Sequence, residues 1–176
     1  MGEAIFQAQH DALTGLGNRA YIETEGQRLA ALSKRLNISL ALVMLDLDGF
    51  KAVNDTYGHA AGDQVLQEVA RRLGHLVRRE DIIARLGGDE FCVMFYDTDS
   101  AETVRSAERI IQALSAPYPG IDCRVGASAG AILVDLSEPQ DMDAWMAAAD
   151  SALYQAKAQG KGRVVLAQHG KNTESQ

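Results

Sequence analysis

Four acids in two short stretches carry the first chemical signal. Residues 85–91 read RLGGDEF, and residues 46–51 read DLDGFK. In the first, Gly87 and Gly88 run into Asp89 and Glu90, and an apolar stretch follows at once. In the second, a long apolar run ends in Asp46 and Asp48. Side chains alternate along a strand, so Asp-x-Asp at a strand end sets both carboxylates on one side. If that strand lies beside a Gly-Gly hairpin, Asp46 and Asp48 come near Asp89 and Glu90. Carboxylates gathered at one place repel unless they are hydrated, protonated or bridged by a cation. Hard oxygen ligands suit Mg²⁺, which takes one or two carboxylates and fills its shell with waters and phosphate oxygens. The two clusters together point to a divalent cation held with a nucleotide. Each alone reads as ordinary turn chemistry, since Asp and Gly are common at strand ends.

Two further spacings can carry chemistry. Residues 54–66 read NDTYGHAAGDQVL. His59 and Asp63 are four apart at the start of a predicted helix and share a face, with Asn54 just before it in the linking turn. An amide and a carboxylate can read a guanine edge. The same residues also start a turn and put an acid at a helix N-terminus, and on residue type alone that second reading is preferred. Lys157 and Lys161, in KAQGK, are again four apart. Two ammonium groups on one helical face can bind a triphosphate. Cations in the last turn before Gly160 and Gly162 serve a helix end equally well.

The elements that must position these groups follow from periodicity. Helical spacing covers Ala20–Leu36, Ala60–Val77, Glu102–Leu114 and Asp141–Gln159. The run ISLALVMLDL at 38–47 reads as a central strand, apolar on both faces. Shorter strands are predicted at 81–85, 91–96, 125–134 and 163–167. The strands at 81–85 and 91–96 form a hairpin through Gly87–Gly88, so at least one pair is antiparallel. The expected fold class is α+β, a mixed and largely antiparallel central sheet flanked by helices. Residues 1–10 read as the end of an N-terminal linker helix, 11–168 as the folded domain and 169–176 as a loose tail.

Composition narrows the function classes. The chain has 176 residues, 47% hydrophobic and 23% charged, which fits one domain with its own core. Its net charge of −7 argues against a general nucleic-acid face, and an anionic ligand needs a cation or local basic groups. Cys92 and Cys123 are expected to be buried thiols in strand-like surroundings rather than a disulfide. No apolar run is long enough to span a bilayer and no signal pattern opens the chain, so a cytoplasmic setting is expected, within a membrane-tethered parent or not.

Taken together, these segments resemble the GGDEF-domain diguanylate cyclases, which join two GTP molecules into cyclic di-GMP. The matching segments are DALTGLGNR at 11–19, DLDGFKAVND at 46–55, GHAAGDQVL at 58–66, RLGGDEF at 85–91, SAG at 128–130 and ALYQAKAQGK at 152–161. Several spaced motifs in order are far more specific than any one. The resemblance implies a palm-like nucleotide-cyclase fold with a ferredoxin-like core. It implies Mg²⁺, or Mn²⁺ in its place, held by the Asp46 and Asp89 carboxylates and the Leu47 carbonyl, with Glu90 assisting. Asp89 or Glu90 would take the proton from the attacking hydroxyl. Asn54 and Asp63 would recognise guanine with His59 nearby, Lys157 and Lys161 would contact phosphates, and Gly87 and Gly88 would let the backbone approach the nucleotide. It further implies one GTP per domain, a symmetric homodimer for catalysis, no nucleic-acid partner, and a sensory domain preceding residue 1. Arg78 and Asp81 form an R-x-x-D at the offset of the family's product-inhibition site, with Arg109 on the next helix. Two departures stand out. Gly17 replaces the proline often found in that turn, and Lys161 stands where arginine is frequent. The competing readings are a non-catalytic sensor that binds GTP or cyclic di-GMP, and a different nucleotide cyclase. The intact tetrad weighs against the first and the Asn54/Asp63 pair against the second.

Overall fold

A computed structural model describes residues 8–139 and 141–168. The expected linker helix falls largely, and the C-terminal tail wholly, outside the described residues. Helix α1 spans Arg19–Leu36 and is started by Asn18, whose side-chain oxygen accepts the Tyr21 N–H at 3.1 Å. Strand β1 is Leu40–Asp48, α2 is Phe50–Tyr57 and α3 is His59–Leu76. The hairpin strands are β2, Ile82–Gly87, and β3, Glu90–Tyr96. Helix α4, Ser100–Leu114, is capped by Asp99, and α5, Met142–Ala158, by Asp141. Strands β4, Gly126–Leu133, and β5, Val164–Gln168, complete the set.

The five strands lie in the order β2-β3-β1-β4-β5. All neighbours are antiparallel except β4 and β5, which the α5 crossover makes parallel. The expected mixed, largely antiparallel sheet is what forms. β1 lies at its centre, and alternation sorts its side chains cleanly. Ala41, Val43, Leu45 and Leu47 join a core with Val65, Leu66, Val69, Leu73, Ile110 and Leu114 of α3 and α4. Leu40, Leu42 and Met44 join a second core with Ile22 and Leu29 of α1 and Trp145 and Leu153 of α5. Both faces of β1 are therefore apolar, which is why its sequence shows no polar alternation. Asp46 and Asp48 continue the second series, so they emerge on the α5 side, where that helix ends.

α5 approaches β4 unusually closely. A Cβ built on Gly130 would stand 2.1 Å from the Leu153 amide nitrogen and 2.2 Å from the Ala149 carbonyl oxygen. The small residues of β4 thus set how near α5 can lie, and with it the reach of Lys157.

Three local expectations are corrected. Residues 50–57 form α2, which no long apolar period announces, so Asn54 sits within a helix and not in a turn. Lys161 does not share a helical face with Lys157. α5 ends at Ala158, and Lys161 follows in the left-handed region with φ 63°, its N–H donating to the Ala156 carbonyl at 3.1 Å. Cys92 is buried in β3, but Cys123 lies in the loop before β4 and is only half-buried.

Candidate active site

The acids converge at one end of the sheet. Asp46 stands directly across the ladder from Glu90, and the Leu47 N–H donates to the Asp89 carbonyl at 3.3 Å. The hairpin tip is thereby tied to the end of β1. The turn itself is Gly88–Asp89, one residue later than the sequence suggests, with φ of 142° at Gly87 and 49° at Gly88. These torsions suit glycine. A Cβ on either would meet nothing within 4 Å, so the tip is open on those sides.

Asp46 Oδ2 accepts from Lys157 Nζ. Its other oxygen, Oδ1, is buried with no hydrogen-bond partner. Burial, and then the Asp46 charge beside it, push the Asp89 carboxyl up to about 6. Burial opposes the charge on Lys157, but the bond to Asp46 and the field of Asp48 and Asp89 outweigh it and raise its pKa. Two carboxyls facing each other can share a proton or a cation. An orphaned buried oxygen facing a second carboxyl is a donor arrangement that a hard divalent ion can satisfy. Among the described residues no three Asp, Glu, His or Cys side chains converge as metal ligands. The oxygen groups gathered here are the Asp46 and Asp89 carboxyls, with the Leu47 backbone adjoining and Glu90 exposed alongside. That small number suits Mg²⁺.

The hairpin is braced by groups not singled out in the sequence. Arg85 donates through Nε to the Gly88 carbonyl at 2.9 Å and through Nη1 to Asp11 Oδ1 at 2.9 Å. The Arg85 N–H also donates to the Gly17 carbonyl at 2.8 Å. Asp11 Oδ2 accepts from the Thr14 N–H and hydroxyl at 2.9 and 2.7 Å. Burial would raise the Asp11 pKa, but Thr14 and Arg85 together lower it. The segment 11–17 is thus a strut for the Gly-Gly turn. Both residues lie inside quoted motifs, yet a lone Asp and a lone Arg gave no spacing signal.

Asn54 packs against α3 at Gly62 across the α2–α3 junction. A Cβ on Gly62, the residue before Asp63, would stand 1.9 Å from Asn54 Oδ1. Asp63 and His59 are exposed and Asn54 half-buried, so all three are accessible from solvent. Lys161 lines a separate cleft of about 490 Å³ with Asp48, Gly49 and Arg124. Fully buried Ser128 links its walls. Its hydroxyl donates to Asp48 Oδ2 at 2.6 Å and accepts the Gly162 N–H at 3.0 Å.

At the far end of β3, roughly 20 Å from the acids by strand rise, Arg78, Asp81 and Arg109 border one cavity of about 140 Å³. The Asp81 side chain is only 1% exposed. Its oxygens accept the Arg78 and Tyr96 N–H groups at 2.8 and 3.0 Å. Arg78 pairs with Asp81 at 3.4 Å and Arg109 with Ser106 at 3.1 Å, and both guanidinium groups stay half-exposed or more.

Residues 8–163 match the family described as "Diguanylate cyclase, GGDEF domain". The chain belongs to this family. Among curated relatives, the GGDEF domain is 43% identical over 164 residues to the probable diguanylate cyclase DgcE of Escherichia coli, covering 92% of this chain and 15% of that one. It is 38% identical to the bifunctional diguanylate cyclase/cyclic di-GMP phosphodiesterase MucR of Pseudomonas aeruginosa, covering 99% and 26%. The chain therefore spans about a quarter or less of these two relatives. Among solved structures, the coiled coil and GGDEF domain of DgcB from Caulobacter crescentus, in complex with c-di-GMP, superimposes with a TM-score of 0.84 at 30% identity, covering 94% of this chain and 89% of that one. No helix among the described residues is long and apolar enough to cross a membrane.

Proposed function

We propose that this GGDEF domain is a diguanylate cyclase, condensing two GTP into cyclic di-GMP with release of pyrophosphate. The observation that carries the reading is the Asp46–Asp89 pair at the mouth of a glycine hairpin, one oxygen buried and unpartnered. The relatives named diguanylate cyclases support it.

Each residue's proposed part is consistent with where it lies. Asp46 and Asp89 would hold Mg²⁺, with the Leu47 carbonyl between them. The bound ion would neutralise phosphate charge and acidify the attacking 3′-hydroxyl. Asn54 and Asp63 present an amide and a carboxylate to a guanine edge, with His59 on the same rim. Gly87 and Gly88 leave the approach to the α-phosphate clear. Glu90, exposed across from Asp46, can accept the hydroxyl proton, as can Asp89 once ionised. Lys157 balances Asp46, and Lys161 draws the phosphate tail. Only one such set exists among the described residues, so two domains, each with one GTP, must face each other as a homodimer. Cyclic di-GMP would bind back at Arg78, Asp81 and Arg109, where guanidinium groups can grip phosphates and stack on guanine.

The test is turnover. The purified domain at high concentration, stripped of bound nucleotide, is incubated with GTP and Mg²⁺. Cyclic di-GMP and pyrophosphate should accumulate and vanish in Asp89→Ala. GTP binding without product, even after fusion to a dimerising coiled coil, would favour a sensor domain instead. Arg78→Ala should weaken product binding, and unchanged affinity would remove the inhibitory site.

A further inference from the structure

Lys157 is committed to Asp46, and this leaves the charge of a triphosphate tail unanswered. The acid pair lies in a chain of net charge −7, so a polyanion needs further cations close by. The cleft beside Asp48 supplies two. It is lined by Asp48, Gly49, Arg124, Gly126, Lys161 and Gly162. Asp48 sits two residues beyond Asp46 on the same side of β1, about 7 Å along the strand, a separation that a polyphosphate tail spans. Arg124 is held at the cleft by its own backbone, since a Cβ on Gly49 would stand 2.6 Å from the Arg124 carbonyl oxygen. Its side chain is exposed, and among the described residues it takes part in no ion pair. The same cleft carries Lys161, whose neighbour Gly162 is held to Asp48 through Ser128.

We infer that Arg124 is a specificity-determining residue of this site, one that grips the terminal phosphate of the nucleotide and separates tri- from diphosphates. The inference rests on the GTP reading above. Lys161 provides a point charge, whereas Arg124 provides a planar fork that can take two phosphate oxygens at once. Lining one cleft, the two can meet a group that a diphosphate lacks.

Calorimetry in Mg²⁺ would compare GTP, GDP and inorganic tripolyphosphate on the wild-type domain, Arg124→Ala and Arg124→Lys. The wild type should prefer GTP over GDP. Arg124→Ala should lose about tenfold for GTP and for tripolyphosphate, leave GDP unchanged, and so shrink the preference by that factor. Arg124→Lys should recover only part of it. Equal losses for GTP and GDP, or no loss for either, would overturn the assignment while leaving the cyclase reading intact. Tripolyphosphate binding that needs Arg124, in a domain that ignores guanine nucleotides, would keep the phosphate grip and sink the GTP reading. Binding of neither GTP nor tripolyphosphate would overturn both.

Discussion

At the scale of single residues, Asp89 is a carboxyl whose proton is held well above the usual carboxylate range. It stands near 6 in the folded chain against an ordinary 3.8. Between those values the folded form keeps a proton that the unfolded chain has lost. The stability this contributes is fully present below the lower value and is lost as pH rises through the upper one. In the presence of chelator, the melting temperature should therefore drop between about pH 4 and about pH 7. Asp89→Asn should flatten that drop. Mg²⁺ should restore stability on the alkaline side, because a cation does there what the proton did. A wild-type melting temperature indifferent to Mg²⁺ above pH 6 would contradict the pairing of Asp46 with Asp89. The position of these acids was legible because Asp-x-Asp ends one apolar run and Gly-Gly-Asp-Glu opens another. The partner of Asp46 was not, since Lys157 lies far along the chain and meets it only when α5 packs on the sheet.

At the scale of elements, α5 and β4 decide where that lysine arrives. Gly130 lets the helix backbone touch the strand. Gly130→Ala puts a methyl group into backbone atoms that no rotamer change can move aside. A loss of about 2 kcal/mol or more is expected, a fall of roughly 4–8 °C in melting temperature for a chain of this size. A smaller fall would mean α5 can step back, and the Lys157–Asp46 contact should then weaken. Helix and strand identities were readable because the long elements keep their periods, as with Val65, Leu66, Val69 and Leu73 on α3. α2 escaped because its eight residues bury only Phe50 and Val53. Lys161 was misplaced for a related reason. A four-residue spacing implies a shared face only if the helix continues, and Gly160 and Gly162 end it. The strut joins Asp11 to Arg85 across 74 residues of sequence, and no local pattern announces a contact made in three dimensions.

At the scale of the whole molecule, the two candidate sites occupy opposite ends of one hairpin, the acids at its tip and the Arg78–Asp81–Arg109 cluster at its base. The acid pair also joins places of unlike permanence. Asp46 belongs to β1, flanked by strands on both sides and helices on both faces, whereas Asp89 sits in the turn leading from the edge strand β2. Amide hydrogens of a central strand exchange with solvent only when the domain opens as a whole, and those of an edge turn exchange by local fraying. An ion spanning the two acids lends the turn the protection of the centre. Deuterium uptake should therefore slow most at residues 86–90 when Mg²⁺ is added, and least in the middle of β1. Uniform slowing across the sheet would place the ion somewhere that does not bridge centre and edge.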